Sequence, residues 1–371
     1  MKWLIAPNAF KGTIEADRAA SLIKDTILEI RPRDQAEVCP IADGGDGTCL
    51  LLSELLGLEK VFAAVNDPLG RPMRGFFGYD AHSRTAYLDV STVSGIKWLK
   101  EYEKNPWICS SYGTGELIMK AMDYGAGEVV IGLGGSATVD MGTGILRAMG
   151  MLFLDEKGRE IPMFSPYFLE RIAHVQLTSV LPDIKFTFLC DVTNSYFGEE
   201  GAIPVFGPQK GLQKQDMRRF LQASESFYRL LQAKSENGIS DGEGFGAAGG
   251  IALGISAFFK TQLAPGASYF FEKVRMKDRI KRADIIITGE GRYDHQSAKG
   301  KGSFELMRLV KELGKESWLI TSGEEANESG FDVILQLPDL DFKEKEVIER
   351  AEEALVKTLQ QTLGRYKNLK I

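Results

Sequence analysis

Short apolar runs alternate with amphipathic segments at the start of the chain. Residues 3–6 form a compact apolar run, and residues 15–30 repeat apolar side chains at helical spacing until Pro32. A second run at about residues 37–41 precedes an apolar segment at about 46–56. This alternation of strand and helix patterns predicts a parallel β-sheet with helices on its faces.

The same pattern returns near the end of the chain. Residues 283–288 are an apolar run that Gly289 is expected to stop, which is typical of a buried parallel strand. A helix is predicted at 304–313, strands at 318–321 and 333–337, and a closing amphipathic helix at 344–363. The two ends of the chain are therefore predicted to share one sheet.

The middle of the chain is richer in strand patterns. Strands are predicted at 61–65, 73–79, 85–90, 128–132 and 184–190, helices at 116–123 and 215–233, and a polar loop at 235–246. The predicted fold class is α/β. A doubly wound, flavodoxin-like parallel-sheet domain (1–65 plus 281–371) is interrupted by an inserted α/β domain (66–280).

Composition narrows the function classes. The chain has 371 residues and a net charge of −6, which disfavours general nucleic-acid binding. Its four cysteines, Cys39, Cys49, Cys109 and Cys190, form no Cys-x-x-Cys pair, so a zinc or dithiol site is not expected. With no signal-peptide or membrane-span pattern, a cytoplasmic location is expected.

Glycines cluster where predicted strands give way to helices. The clusters lie at 43–48, 112–116, 132–140, 246–250 and 289–294. Backbone N–H groups at such turns can hold an anion. Any single cluster is explained as well by a turn that needs positive φ, but several of them at strand ends favour phosphate binding by some.

Familiar nucleotide motifs are otherwise missing. Neither a Walker A sequence nor the protein-kinase motif set is present. Residues 244–249 match the dinucleotide pattern Gly-x-Gly-x-x-Gly, but a polar loop precedes them instead of a strand, so the match is interpreted as chance. A nucleotide-linked dehydrogenase is an alternative that this match alone supports.

Acidic residues recur at the same strand ends: Asp43, Asp46, Asp89, Asp140, Asp191, Glu290 and Asp294. Carboxylates there suit Mg²⁺ coordination or acceptance of a hydroxyl proton. Helix capping is the competing explanation, and it stays open for Asp46 and Asp140. For Asp191 and Glu290 a functional role is favoured.

Basic residues lie beside these clusters and suit phosphate or carboxylate partners: Lys11, Lys210, Arg292, Lys299 and Lys301. The three histidines form no nucleophilic set, and His82 is predicted to lie in a hairpin turn. These observations together favour transfer of a phosphoryl group from a nucleotide to a small acid.

Ordered motifs along nearly the whole chain resemble the glycerate kinase family, specifically its bacterial type I enzymes. They are Ala6-Pro7-Asn8-Ala9-Phe10-Lys11-Gly12, residues 42–48, 105–106 and 112–116, Gly134-Gly135-Ser136-Ala137-Thr138, Cys190-Asp191-Val192-Thr193-Asn194, residues 206–211 and 246–250, and Thr288-Gly289-Glu290-Gly291-Arg292.

The resemblance implies phosphorylation of D-glycerate by ATP with Mg²⁺, and 2-phosphoglycerate as the product. Glycerate 3-kinase activity, or a kinase of a related small hydroxy acid, is the alternative. The resemblance also implies two α/β domains with the active site in the cleft between them. The expected partner is a small-molecule substrate, with no nucleic acid and no membrane, and a homodimer is left open. A nucleotide- or hydroxy-acid sensor is the non-enzymatic alternative.

Hypothetical roles follow for individual residues. Lys11 and one of Lys210 or Lys301 neutralise phosphate charge, and Asp191 and Glu290 hold Mg²⁺. Asp43 or Asp294 accepts the hydroxyl proton, and Arg292 pairs with the glycerate carboxylate or the transferring group. The nucleotide is expected to be bound by Gly134, Gly135, Ser136, Thr138, Lys210, Gly289 and Lys301.

The sequence departs from the family pattern at two places. Asn8-Ala9 stands where Asp-Ser is more usual, and Ser195-Tyr196 stands where Pro-Leu is usual. If position 8 normally supplies a working carboxylate, metal binding through it is in doubt here. An asparagine can still cap or hydrogen-bond.

Overall fold

The structure is a computed structural model. It describes residues 1–10, 12–177, 181–235, 238–293, 302–323, 326, 329–339 and 346–366. The strands are β1 (Lys2–Ile5), β2 (Gln35–Val38), β3 (Glu59–Asn66), β4 (Pro72–Asp80), β5 (Thr85–Asp89), β6 (Glu128–Gly132), β7 (Met151–Leu154), β8 (His174–Leu177), β9 (Lys185–Cys190), β10 (Lys260–Pro265), β11 (Ile285–Arg292), β12 (Glu316–Ser322) and β13 (Val333–Leu337).

The α-helices connect and cover these strands. They are α1 (Ala16–Ile30), α2 (Thr48–Leu55), α3 (Ser91–Ser94), α4 (Tyr112–Asp123), α5 (Thr143–Ala148), α6 (Phe168–Arg171), α7 (Ala202–Phe206), α8 (Met217–Lys234), α9 (Ile251–Ser256), α10 (Gly266–Lys273), α11 (Met276–Arg282), α12 (Gly302–Glu312) and α13 (Val347–Tyr366). Among the described helices none is long and apolar enough to cross a membrane.

Close contacts divide the chain into two compact units. The first unit comprises Met1–Asp43 and Ala267–Ile371, and the second comprises Gly44–Gly266. Each unit contains one large sheet. The first holds a five-stranded sheet and the second a six-stranded sheet, with the antiparallel pair β7–β8 as a further small sheet.

The five-stranded sheet is wholly parallel, in the order β13-β12-β11-β1-β2. Numbered by their appearance in this unit, the strands run 2-1-3-4-5, which is the flavodoxin-like order. The direction of the chain across the sheet changes between β1 and β11. This pair is therefore the topological switch point, where ligands bind in open α/β sheets.

Apolar side chains on both faces of this sheet are covered. On one face Trp3, Ile287 and Trp318 pack with α1 and α13, and the two indoles meet edge to face at 5.2 Å. Leu319 points to the opposite face and packs near Phe304 of α12. Helices on both faces confirm the predicted doubly wound parallel-sheet architecture.

The six-stranded sheet has the order β10-β9-β6-β5-β4-β3. Strands β5, β6, β9 and β10 are parallel, and β4 and β3 extend the sheet as antiparallel neighbours. Because spatial order follows chain order, this sheet contains no switch point. The prediction that His82 lies in a hairpin turn is confirmed, since it lies between β4 and β5.

Helix α4 begins earlier than predicted. It includes Gly113 and Gly115, which belong to the glycine cluster at 112–116. A side chain at Gly113 would collide with the carbonyl oxygen of Asn66, and one at Gly115 would lie 2.6 Å from Ala148 Cβ. These glycines allow close packing inside a helix, so that cluster is explained without a ligand.

Strand β11 also continues past its predicted end. Gly289 was expected to stop it, but the strand runs to Arg292 with a register shift against β12 between Gly289 and Arg292. The parallel pairing supplied by β12 keeps the chain extended there, which a local sequence pattern does not reveal. Irregularities of this kind re-aim side chains and recur beside active sites.

Candidate active site

The turn after β1 and the end of β2 meet at the carboxyl edge of the five-stranded sheet. The backbone N–H of Asn8 donates to the carbonyl of Gly289 at 2.8 Å. The side-chain amide of Asn8 donates to Asp43 Oδ2 at 3.1 Å. Asn8, Asp43 and Gly289 are therefore brought together at the switch point.

Asn8 uses both ends of its amide. Its Oδ1 accepts the N–H of Ala9 at 2.8 Å while its Nδ2 donates to Asp43. An aspartate at this position would replace the donor with a second acceptor beside a buried carboxylate. Asn8 thus orients Asp43, which gives this departure from the family pattern a physical role.

Glu290 and Arg292 lie in the irregular end of β11. Ser322 donates its hydroxyl to the carbonyl of Gly291 at 2.5 Å, and the N–H of Tyr293 donates to Thr321 Oγ1 at 2.9 Å. Glu290 is buried and Arg292 is exposed. Burial, with a smaller contribution from the Glu290 charge, raises the pKa of Tyr293 to about 12.

Gly289 and the first residue of α12 also lie at this edge. A Cβ at Gly289 would lie 2.7 Å from the end of the Phe10 ring, so the glycine makes room for that ring. A Cβ at Gly302 would lie 3.6 Å from both Asn8 Nδ2 and Asp43 Cβ. The N-terminus of α12 is thus beside the Asn8–Asp43 pair, in a position that favours negative charge.

Part of the predicted set lies outside the described residues. These residues are Lys11, Asp294, Lys299 and Lys301. His295 lies outside them as well.

The carboxyl edge of the six-stranded sheet holds a second group of predicted residues. Gly134 follows β6 and Asp191 follows β9, and these strands remain paired to their ends, where the N–H of Leu133 donates to the carbonyl of Leu189 at 3.1 Å. Asp191 is partly exposed. Both residues therefore occupy the same edge.

A loop of residues 44–47 runs across these strand ends. A Cβ at Gly134 would collide with the backbone of Gly45 and Asp46, and a Cβ at Gly44 would lie 3.1 Å from the backbone N of Cys190. Gly135 has a φ of 69°, which favours glycine. The glycines at 134 and 135 are thus required for packing, whether or not they also bind a ligand.

Lys210 lies beneath the segment that follows Gly135. Its ammonium group donates to Ser136 Oγ at 2.7 Å and to the carbonyl of Thr138 at 2.8 Å. Burial lowers its pKa to about 8, against the opposing effect of Asp140 and Cys109. The structure thus brings Lys210, Ser136 and Thr138 together.

Asp140 is buried and accepts hydrogen bonds from the turn that follows it and from Ser111. Its carboxylate accepts the N–H and hydroxyl of Ser111 at 3.0 and 2.8 Å, the N–H groups of Gly142 and Gly144, and the hydroxyl of Thr143. Of the two roles left open for Asp140, bracing of the loop and of α5 is the one that these contacts serve.

Asp46 does not cap the helix that follows it. It is exposed, accepts the hydroxyl of Ser91 and pairs with Lys97 at 3.2 Å. The cap of α2 comes from Asp89, whose carboxylate accepts the N–H groups of Cys49 at 3.0 Å and Leu50 at 3.1 Å. The capping role that was left open for Asp46 is thus filled by Asp89.

Asp89 is buried at the end of β5, against Gly132 of the neighbouring strand. A Cβ at Gly132 would collide with Asp89 Oδ1. Burial raises the pKa of Asp89 to about 7, although the N–H groups of Cys49 and Leu50 oppose the shift. The sequence placed Asp89 among the acidic strand ends without assigning it a role.

The Gly244–Gly249 segment is not a dinucleotide fingerprint. It follows a loop, and its glycines pack against other loops: side chains at Gly246 and Gly249 would collide with the carbonyls of Ser195 and Thr138. A Rossmann fingerprint requires a strand before it and a helix that opens at its glycines. The interpretation of this match as chance is consistent with its place in the fold.

The carboxylates at the strand ends are candidate ligands for Mg²⁺. Within the described ranges, no three His, Cys, Asp or Glu side chains lie close enough together to hold a metal ion on their own. Mg²⁺ is usually bound by one or two carboxylates together with waters and substrate phosphates. Asp191 and Glu290, each at the carboxyl end of a parallel strand, fit that simpler requirement in ligand type.

Sequence reasoning missed several residues that build these edges. Ser111 and Tyr196 support the segment after Gly134 through hydrogen bonds to Asp140 and to the carbonyl of Val139. Lys97 pairs with Asp46. Nothing in their local sequence signals these roles, because each contact joins positions at least 29 residues apart in the chain.

Comparisons with known proteins show to which family the chain is similar. The family model described as the glycerate kinase family matches residues 3–367. The chain is 33% identical to "Glycerate kinase" of Haemophilus influenzae over 97% of each chain, and 36% identical to "Glycerate kinase" of Bacillus subtilis over 84% of this chain and 82% of that one.

Two further relatives extend the comparison. "Glycerate 2-kinase" of Escherichia coli is 32% identical over 85% of this chain and 83% of its own. A crystal structure from Salmonella typhimurium LT2, assigned to glycerate kinase 2, aligns with a TM-score of 0.84 and 30% identity, covering 99% of this chain and 98% of that one. The chain therefore belongs to the glycerate kinase family and is a kinase.

Proposed function

We propose that the protein transfers the terminal phosphoryl group of ATP to the 2-hydroxyl of D-glycerate in a reaction that requires Mg²⁺, and that it releases 2-phosphoglycerate. One observation carries the proposal. The similarity to a relative named glycerate 2-kinase extends over 85% of the chain.

The phosphates of the nucleotide are assigned to the segment after β6. Backbone groups of Gly134 and Gly135, with the side chains of Ser136 and Thr138, would form the cradle. This segment is already fixed by its contacts with Gly45 and Lys210. A prearranged cradle does not have to reorganise as charge develops, which is how electrostatic catalysis gains most.

Asp191 and Glu290 are assigned to Mg²⁺. When bound, the ion would supply positive charge to the transferring phosphoryl group and help to orient it. The described carboxylates make no complete cage, so phosphate oxygens would complete the coordination. Metal affinity is therefore expected to rise strongly when nucleotide is present.

The acceptor is assigned to the edge of the five-stranded sheet. Arg292 is exposed at the end of β11, and its guanidinium would pair with the glycerate carboxylate. Asp43, oriented by Asn8, or Asp294 would accept the hydroxyl proton. Lys11, with Lys210 or Lys301, would offset phosphate charge, and Gly289 would contribute backbone donors.

The test is turnover of purified protein with ATP, Mg²⁺ and D-glycerate, with the product identified by ³¹P NMR. The proposal expects 2-phosphoglycerate, and no product when Mg²⁺ is omitted. Formation of the 3-isomer would retain the kinase and overturn the regiochemistry. Turnover only with another hydroxy acid would overturn the substrate.

The metal assignment has its own variants. Asp191→Asn and Glu290→Gln are each expected to lower kcat by at least about 100-fold, because they remove a ligand that offsets charge in the transition state. Asp123→Asn is the matched control, because that carboxylate is exposed and pairs only loosely with Lys120 at 3.6 Å. Near-normal turnover of both folded variants would refute the assignment.

A further inference from the structure

The segment from Gly135 to Met141 is held at almost every residue by groups from elsewhere in the second unit. The carbonyl of Gly135 accepts the N–H of Ile96, and the N–H of Ala137 donates to Ser94, both at 2.9 Å. The N–H of Met141 donates to the carbonyl of Gly249 at 3.0 Å. We call residues 135–141 the clamped loop.

Two side chains hold the centre of the clamped loop from within the protein. Lys210 donates to Ser136 Oγ and to the carbonyl of Thr138. Tyr196 is fully buried and donates its hydroxyl to the next carbonyl, that of Val139, at 3.2 Å, with Ser224 Oγ 3.1 Å from the same hydroxyl. Consecutive carbonyls are thus fixed by two different side chains.

The buried position of Lys210 argues against direct contact between its ammonium group and a phosphate. The residue is only 5% exposed, and its ammonium group donates hydrogen bonds to two residues of the clamped loop. It is the last residue of the 3₁₀ helix Pro208–Lys210, and Gly211 follows with a φ of 93°. Lysines usually keep the charged head group in solvent, whereas this one is already hydrogen-bonded inside the protein.

We propose that Lys210 is a positioning residue: together with Tyr196 it fixes the clamped loop in its binding geometry, and it does not contact the nucleotide. This inference deepens the proposed function and rests on it for the role of the loop. It leaves Lys301 and Lys11 as the lysines assigned to phosphate. It also gives Tyr196, which replaces the usual residue of the family pattern, a role in the site.

Charge and hydrogen bonding can be separated at Lys210. A neutral amine keeps two N–H groups, enough to donate to both Ser136 and Thr138. The titratable groups that face it are Asp140 and the thiol of Cys109, and burial lowers its pKa to about 8. A positioning lysine therefore keeps the loop in place above that pH, whereas a lysine that neutralises phosphate loses its effect there.

The experiment is hydrogen–deuterium exchange of the ligand-free protein, read on peptides that cover residues 135–141. Lys210→Met is expected to raise exchange in these peptides by at least about 10-fold, and Tyr196→Phe to raise it less, because loss of anchoring bonds increases local opening. Lys214→Met is the control, since Lys214 is exposed in the next turn and is expected to change nothing.

The readout needs no substrate, so it fails or succeeds independently of the proposed reaction. Unchanged loop exchange in Lys210→Met, together with a raised KM for ATP, would overturn the proposal and restore a direct phosphate role. If Lys210→Met does not fold, Tyr196→Phe decides on the same peptides: raised exchange supports the proposal, and exchange equal to that of Lys214→Met overturns it.

Discussion

The carboxyl edges of the two large sheets carry similar residues, glycines followed by acids, but they are built in different ways. In the five-stranded sheet the strand order reverses direction between β1 and β11, so the topology itself separates the loops and leaves space. In the six-stranded sheet the order follows the chain. There the edge is shaped by loops that glycines allow to pack closely and that buried polar side chains hold.

The same sequence pattern, glycines followed by acidic residues, therefore arises at the two edges for different physical reasons. At the first edge the side-chain amide of Asn8 donates a hydrogen bond to Asp43. At the second edge Asp140 collects five donors, and Lys210 anchors two acceptors. Substitutions at the second edge should therefore destabilise the protein more than substitutions at the first.

The largest effect is expected from Gly134→Ala. The new methyl group would collide with the backbone of Gly45 and Asp46, and backbone cannot move aside as a flexible side chain can. The free energy of unfolding should fall by about 3 kcal/mol or more. Urea denaturation measures it, with Gly127→Ala as the control because no atom lies within 4 Å of a Cβ there. Equal stability of the two variants would contradict the packing role.

Asp89 should give the second edge a distinctive pH dependence. Its folded pKa of about 7 lies above its ordinary value of 3.8, so the folded state holds the proton more tightly. Its contribution to stability is therefore present below about pH 4 and is lost as pH rises through about 7.

The Asp89→Asn variant isolates this contribution. The groups that face Asp89 are the amides of Cys49 and Leu50 and the charges of Asp46 and Lys97. The stability of the wild type minus that of the variant should decrease by about 3 kcal/mol between pH 4.5 and pH 7.5. Urea midpoints at both values measure it. A difference that does not change with pH would show that Asp89 has an ordinary pKa.

Asn8→Asp tests the first edge. It replaces a donor to Asp43 with a second carboxylate, so like charges would meet about 3 Å apart. A loss of about 1 kcal/mol is expected at pH 7, and low pH or millimolar Mg²⁺ should restore it. Asn194→Asp is the control, since it also replaces an amide donor, but one whose acceptor is the backbone carbonyl of Glu200 and not a carboxylate. Identical behaviour of the two variants would count against the pairing.

The smallest effect is expected from Gly302→Ala. Its new methyl group would lie 3.3 Å from Ile41 Cδ1 and 3.6 Å from Asn8 Nδ2, so a flexible side chain has only to shift slightly. Alanine also favours helix at the start of α12, and stability should stay within about 0.5 kcal/mol of the wild type. Thermal denaturation measures it. A loss comparable to that of Gly134→Ala would erase the contrast between the edges.

Much of the fold was accessible from local pattern. Strands β6 and β13 match their predicted bounds, and α1 begins one residue after the predicted start. These elements have clear periodicity and stopping residues such as Pro32. The extension of β11 to Arg292 and the early start of α4 were missed, because pairing with β12 and packing against Asn66 come from distant parts of the chain.

The candidate site also has features that the local sequence predicted and features that only distant contacts explain. The sequence placed glycines and acids at the ends of parallel strands, and the resemblance to glycerate kinases tied them to phosphoryl transfer. The sequence could not show that Asp89, and not Asp46, caps α2. The capping carboxylate lies 40 residues from Cys49 along the chain.

By itself, the sequence determined the α/β class, most of the elements and membership of a kinase family, because periodicity and ordered motifs are local properties of the chain. Tertiary structure alone decided which glycines are required for packing, which buried acid caps a helix, and that Lys210 lies beneath its loop instead of in solvent. Burial, close approach and hydrogen-bond partners are set by residues far apart in sequence, and these interactions fix both geometry and pKa.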